Sequence, residues 1–178
     1  MNESDVAALI VLGVVFLIYA AIFLVAVAIS MAFMFPYYRM AKNQGMPHAW
    51  LAFIPVGTLW VMLNLPTREF NLFNKYIQTD RSKVFWHYIL FWVIASVLFV
   101  PFVFIMFIPV LGWLIYIAYY VAFAVIGYGF AWRMNYDIYM TYGMEDNAMT
   151  FSILGLFVPV LSIVMAFVIM NREPNFDV

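Results

Sequence analysis

VFWHYILFWVIASVLFVPFVFIMFIPVLGWLIYIAYYVAFAVIGYGFAW, residues 84–132, runs for 49 residues without an Asp, Glu, Lys or Arg. A membrane-crossing helix needs about 20 apolar residues, so the run is too long for one crossing and suits two. Pro109, Val110, Leu111 and Gly112 fall near its middle, where Pro and Gly interrupt a helix. The pattern predicts a tight hairpin of two spans, 85–108 and 111–132.

Similar runs lie on both sides. Residues 6–35 carry no charge and would form a helix about 45 Å long, more than a hydrocarbon core of ~30 Å requires. The leader Met1-Asn2-Glu3-Ser4-Asp5 is acidic, unlike the basic start of a secretory signal. Ser4 or Asp5 is expected to cap this first helix. Pro36 is expected to end it, with Tyr37, Tyr38 and Arg39 as interfacial anchors. Residues 151–170 form a last apolar run, preceded by the capping candidates Asp146 and Asn147 and closed by Asn171-Arg172-Glu173-Pro174. Of the 178 residues, 68% are hydrophobic and 10% charged, against about 45–50% and about 25% in soluble domains. The 17 charged side chains would give a water-soluble sphere of this size only one charge per ~500 Å² of surface. Composition therefore excludes a soluble monomer. A net charge of −1 provides no field for nucleic acid. The absence of cysteine removes disulfides, thiol nucleophiles and Cys-ligated zinc.

Residues 49–65 are apolar but interrupted by Pro55 and Gly57, and they include Thr58 and Asn64. Charge decides how to read them, because Lys and Arg of short loops favour the cytoplasmic side. If the segment enters and leaves through one leaflet, Arg39, Lys42, Arg68, Lys75, Arg81, Lys83 and Arg133 lie inside and Arg172 outside, seven to one. A full crossing gives three to five, against the rule. The fold expected is an all-α integral membrane protein with the amino terminus outside. It has four transmembrane helices plus one re-entrant or interfacial helical segment, 49–65, and short amphipathic cytoplasmic helices. Asn74 and Asn147 would then be cytoplasmic and Asn175 external.

Two connections look amphipathic. Phe70, Phe73, Tyr76 and Ile77 recur at helical spacing opposite Arg68, Glu69, Asn71, Asn74 and Lys75, which predicts a helix on the cytoplasmic leaflet. Arg133, Asp137 and Thr141 form an i, i+4 row on a continuation of the third span, with Gly143 as its stop. Arg133 and Asp137 read as a surface pair worth about 0.5 kcal/mol or less. The chain also echoes itself at Phe53-Ile54-Pro55-Val56, Phe107-Ile108-Pro109-Val110 and Phe157-Val158-Pro159-Val160.

Chemistry-bearing residues are sparse. No ionisable side chain lies within the expected spans apart from His87 at the entry of the second, whereas ion-coupled carriers and pumps keep such groups there. His48 and His87 lack a second ligand at helical spacing, so no metal or other cofactor is expected. Glu145, Asp146, Asp137 and Thr58 form no set of nucleophile, base and orienting partner, so no catalytic residue is assigned. A helix break at Pro55-Val56-Gly57 would free backbone groups at membrane depth, which are tolerated only against protein or a watery cavity. A polar notch lined by Trp50, Pro55, Gly57, Thr58 and Asn64 is the binding site this implies. Small residues at i, i+4, namely Ala26 with Ser30, Ala28 with Ala32, Ala118 with Ala122 and Gly127 with Ala131, permit close helix approach.

The stretch Arg39-Met40-Ala41-Lys42-Asn43-Gln44-Gly45-Met46-Pro47-His48-Ala49-Trp50-Leu51-Ala52-Phe53-Ile54-Pro55-Val56 resembles a motif of small, uncharacterised bacterial multi-span membrane proteins, some linked to signal peptidase I domains. In them a basic residue, a Gly, a Trp and an Ile-Pro step follow the first span. Tyr142-Gly143 and Phe151 to Pro159 look similar too. The family usually has Tyr-Asn after Ile-Pro, whereas Gly57-Thr58 follows Val56 here. The resemblance implies a bacterial cytoplasmic membrane and brings no catalytic residues. The function expected is that of a non-enzymatic accessory, regulatory or immunity-type protein. It would sit among membrane lipids and bind another membrane protein or a second copy of itself. The alternative is a transport component for a lipid or small neutral solute, with its site at the Pro55 break.

Overall fold

A computed structural model describes the backbone of residues 3–176 and the side chains of residues 10–176; the capping side chains of Ser4 and Asp5 lie outside the described residues. Helix α1 runs over Glu3–Asn43, a 3-10 turn over Ala49–Phe53, and α2 over Pro55–Asn64. A hairpin of β1 (Phe70–Leu72) and β2 (Tyr76–Gln78) leads to α3 (Arg81–Ile105) and α4 (Leu111–Thr141). A second 3-10 turn, Glu145–Asn147, opens into α5 (Ala148–Phe157) and α6 (Pro159–Ile169). Among the described residues three helices are long and apolar enough to cross a membrane: Ile10–Asn43, Arg81–Ile105 and Leu111–Thr141.

The expected hairpin is present as two long apolar helices, the first ending at Ile105 and not at 108, with the turn before Leu111, and α4 continues past the apolar run to Thr141 as anticipated. The expected helix at 151–170 is instead two helices. Pro159 has no N–H for an i−4 bond, Val158 leaves the helical region at φ −126°, ψ 83°, and Pro159 starts α6 at a position suited to proline. At ~1.5 Å per residue each piece is about 15 Å long, half of a ~30 Å core. Pro36 and Pro101, by contrast, lie inside α1 and α3 without ending them. Beyond Pro36 the helix is held by burial of Tyr37, Met40 and Ala41 in the core.

Gly155 faces Ser162 so closely that a Cβ on it would collide with the Ser162 hydroxyl. Gly155→Val is expected to lower stability by about 1–3 kcal/mol, read as a lower thermal midpoint in detergent, with partial recovery when Ser162→Ala is added.

The predicted helix over 67–78 is a β-hairpin, with Phe70 opposite Gln78, Asn71 opposite Ile77 and Leu72 opposite Tyr76. Its turn holds Phe73 and Asn74 at φ +54° and +55°, the positive-φ pair of tight hairpin turns. The Asn71 side-chain oxygen accepts the Asn74 N–H at 2.9 Å. Burial alternates, with Phe70 and Leu72 in the core and Asn71 between them half-buried. Phe70 stacks on Phe130 of α4 at 5.2 Å, and Phe73 lies against Gly129, where a Cβ would stand 2.6 Å from its ring.

All the shorter elements gather at one end of the long helices. Gln44, just after α1, donates to the Leu65 carbonyl at 3.1 Å and to the Tyr142 hydroxyl at 2.9 Å, so the ends of α1, α2 and α4 meet there. Burial pushes the Tyr142 phenol well above its ordinary pKa, keeping it neutral in that contact. Asn43 reaches the Met170 carbonyl at 3.5 Å, and Arg172 donates to the Gly143 carbonyl at 2.8 Å. The backbone N–H of Asn175 bonds the Thr141 carbonyl at 2.6 Å, so Asn175 lies at the end where α4 finishes and not across from it as expected. The main core is here too, with Met40, Ala52, Val61, Ile138, Tyr142 and Ile169 fully or almost fully buried. Away from it, no residue of α1 between Ile10 and Phe33 is buried. The free length of α1 helps explain a solvent-accessible area of 11367 Å², against about 9,000 Å² for a globular chain of this size.

Candidate functional site

Asp137 on α4 is completely buried, and three arginines converge on it. Arg81, in the first turn of α3, places Nη2 2.6 Å from Oδ2, while its Nε donates to the Arg68 carbonyl at 2.8 Å. Arg133, one turn before Asp137, brings Nη2 to 2.9 Å from Oδ1. Arg68, between α2 and β1, brings Nε to 3.8 Å from Oδ1. The surface pair expected of Arg133 and Asp137 is thus one side of a buried cluster. The hairpin and α3 close over α4, with α3 supplying Arg81 and the connection before the hairpin supplying Arg68, and Asp137 is left with no solvent exposure.

Local structure sets each arginine. Asp80 caps α3, its carboxylate accepting the N–H groups of Ser82 at 3.0 Å and Lys83 at 3.4 Å, which fixes where the helix begins and so where Arg81 leaves it. The Arg81 guanidinium lies over Phe70 at 5.3 Å; those of Arg68 and Arg133 lie over Tyr136 at 5.8 and 5.2 Å. Guanidinium groups favour such aromatic faces. Side-chain exposure is 5% for Arg81, 12% for Arg133 and 27% for Arg68, so the cluster opens on its Arg68 side.

Of the seven cations and Asp137 expected at the cytoplasmic face, Arg68, Arg81, Arg133 and Asp137 come together, while Arg39, Lys42, Lys75 and Lys83 are exposed. Arg172 joins the same end through Gly143, so all eight Lys and Arg of the chain stand at one end of the three long helices.

Around Pro55, where the notch is expected, the polar side chains bond their own backbone. Helix α2 starts at Pro55, and the groups left by the break are used locally. The Thr58 hydroxyl bonds the carbonyls of Ala52 at 2.5 Å and Ile54 at 3.1 Å. Asn64 donates to the Trp60 carbonyl at 2.8 Å, and Gly57 abuts the Leu51 carbonyl where a Cβ would collide. Trp50 and Pro55 face outward. Thr58→Val, which leaves the Ala52 carbonyl without its hydroxyl partner, is expected to cost about 1–3 kcal/mol, measurable by denaturation in detergent.

A cleft of about 600 Å³ that the sequence did not announce lies between α3 and α4, lined by Tyr88, Trp92, Ser96, Tyr116, Tyr120 and Tyr128 among others. The Trp92 ring lies beside Gly127, where a Cβ would meet it in ordinary contact at 3.4 Å. The Ala26/Ser30 and Ala28/Ala32 pairs fall on the free part of α1, where the Ser30 hydroxyl bonds the Ala26 carbonyl at 2.8 Å. His87 pairs with the Tyr76 hydroxyl at 2.5 Å, and no three His, Asp or Glu among the described residues gather as a metal site would require. No protein-family model matches the chain, and comparison with curated proteins and with solved structures finds no match.

Proposed function

We propose that the protein is a non-enzymatic accessory or regulatory component of a bacterial cytoplasmic membrane that binds another membrane protein along α1. The observation that carries this reading is the free span. From Ile10 to Phe33 no residue of the helix is buried by its own chain, and only Ala20 and Val27 are half-buried, while the small residues Ala26, Ala28, Ser30 and Ala32 mark faces that a neighbouring helix can approach closely. The Asp137 carboxylate is occupied by guanidinium groups, which removes the best-placed buried acid from catalysis. We take the chain to cross three times, with its amino terminus outside and its carboxyl-terminal hairpin returning to the cytoplasmic side, because this puts all eight cations inside. Transport of a lipid or neutral solute at the Pro55 break has less support, since Thr58 and Asn64 bond their own backbone.

A photo-crosslinking residue at Ala28 or Ala32, activated in native membranes, tests the reading. A discrete protein adduct is expected, and an adduct of twice the chain mass would make the neighbour a second copy. Labelling of lipid alone at both positions would overturn it.

A further inference from the structure

We propose that the Arg68–Arg81–Arg133 cluster is a binding site for a phosphate group. The argument starts from charge. Three guanidinium groups surround one carboxylate, which leaves two positive charges without a counter-charge where little water reaches. Among the described residues no second carboxylate forms an ion pair with any of the three. Burying charge costs several kcal/mol per ion even when it is paired, so an uncompensated surplus calls for an anion from outside the chain.

Hydrogen bonding points the same way. Arg68 Nη1, Arg81 Nη1 and Arg133 Nε are buried with no hydrogen-bond partner among the described residues, as is the acceptor Asp137 Oδ1, which Arg133 and Arg68 approach as ion pairs and so shield from an incoming anion, and the Arg81 side chain is 95% enclosed. Buried donors are seldom left unmade. An oxyanion with several acceptor oxygens matches guanidinium forks better than a single-atom anion does. Tyr136 holds Arg68 and Arg133 on its ring, and Arg68, the most exposed of the three and 3.8 Å from Asp137, is the side by which an anion enters. The phosphate can be the headgroup of an anionic phospholipid or the free ion. The site is independent of α1 and of what binds there.

The test uses the full-length protein purified in a neutral detergent without phosphate. It is titrated separately with phosphatidylglycerol, with phosphatidylcholine and with inorganic phosphate, while the thermal midpoint and bound phosphorus are measured. Saturable stabilisation by phosphatidylglycerol that exceeds that by inorganic phosphate assigns the lipid, and the reverse order assigns the free ion; either supports the site. Arg68→Gln is expected to weaken binding tenfold or more and Arg68→Lys by less, while Lys75→Gln, at the same end but outside the cluster, stays within twofold. In the absence of anion, Arg68→Gln is expected to melt no lower than the unmodified protein, because it removes one of the repelling cations; a merely structural Arg68 would give the opposite sign. The proposal is overturned if no probe binds saturably, if phosphatidylcholine binds as well as phosphatidylglycerol while free phosphate does not bind, or if Arg68→Gln and Lys75→Gln weaken binding alike.

Discussion

Asp137→Asn is expected to destabilise the protein by about 3–5 kcal/mol, the cost of removing one partner from a buried ion cluster. The substitution keeps size and polarity but leaves three guanidinium groups facing a neutral amide, with Arg81 95% enclosed. Thermal denaturation in detergent, followed by helical circular dichroism and by resistance to proteolysis between α2 and α3, measures the effect. The double variant Asp137→Leu with Arg81→Met should regain part of the loss, because apolar replacements of similar volume relieve both the charge and its desolvation. Asp137→Asn at unmodified stability would mean that the carboxylate does not hold α3 and the hairpin to α4. The same pairing in an exposed helix would be worth ~0.5 kcal/mol. Burial accounts for the difference between the two magnitudes.

The second large effect is all-or-none. The chain has no cysteine, so single cysteines can be placed without a background. At Phe107, in the turn between α3 and α4, a membrane-impermeant maleimide should react in intact cells. At Asn74, Asn147 and Asn175 it should react only after the membrane is opened. Asn175 is the discriminating position, because a fourth full crossing would expose it outside, whereas its backbone bond to Thr141 ties it to the end of α4. Labelling of Asn175→Cys in intact cells would refute the three-crossing arrangement.

The sequence carried the long helices openly. Forty-nine uncharged residues with Pro109 and Gly112 at their centre leave little choice but a hairpin of two spans, since length, charge and punctuation agree. The other prolines show where local reading stops. Pro36, Pro101 and Pro159 each interrupt an apolar run, yet only Pro159 separates two helices. There the turned chain brings Gly155 against Ser162, a contact between the two helices that no local pattern around the proline encodes. The echoed Phe-x-Pro-Val stretches do not mark one event: Pro55 and Pro159 each begin a helix, whereas Pro109 lies in the turn before α4, which begins at Leu111.

The β-hairpin was hidden for another reason. Phe70, Phe73, Tyr76 and Ile77 fit a helical stripe in isolation, but Phe70 packs on Phe130, 60 residues away in the chain, and the turn at Phe73-Asn74 decides the period. The arginine cluster was legible only as its i, i+4 pair. Arg81 lies 56 residues from Asp137, and no local pattern encodes that approach.

The uneven distribution of short elements gives the molecule a taper. Near the cationic end its cross-section includes α2, the hairpin, α5 and α6 as well as the three long helices. Since the short helices extend only about 15 Å, the opposite half contains α1, α3 and α4 alone. With α1, α3 and α4 as the three crossings proposed above, such a wedge would displace more lipid from one leaflet than from the other and put the surrounding bilayer under a bending stress whose direction is set by which leaflet holds the broad end.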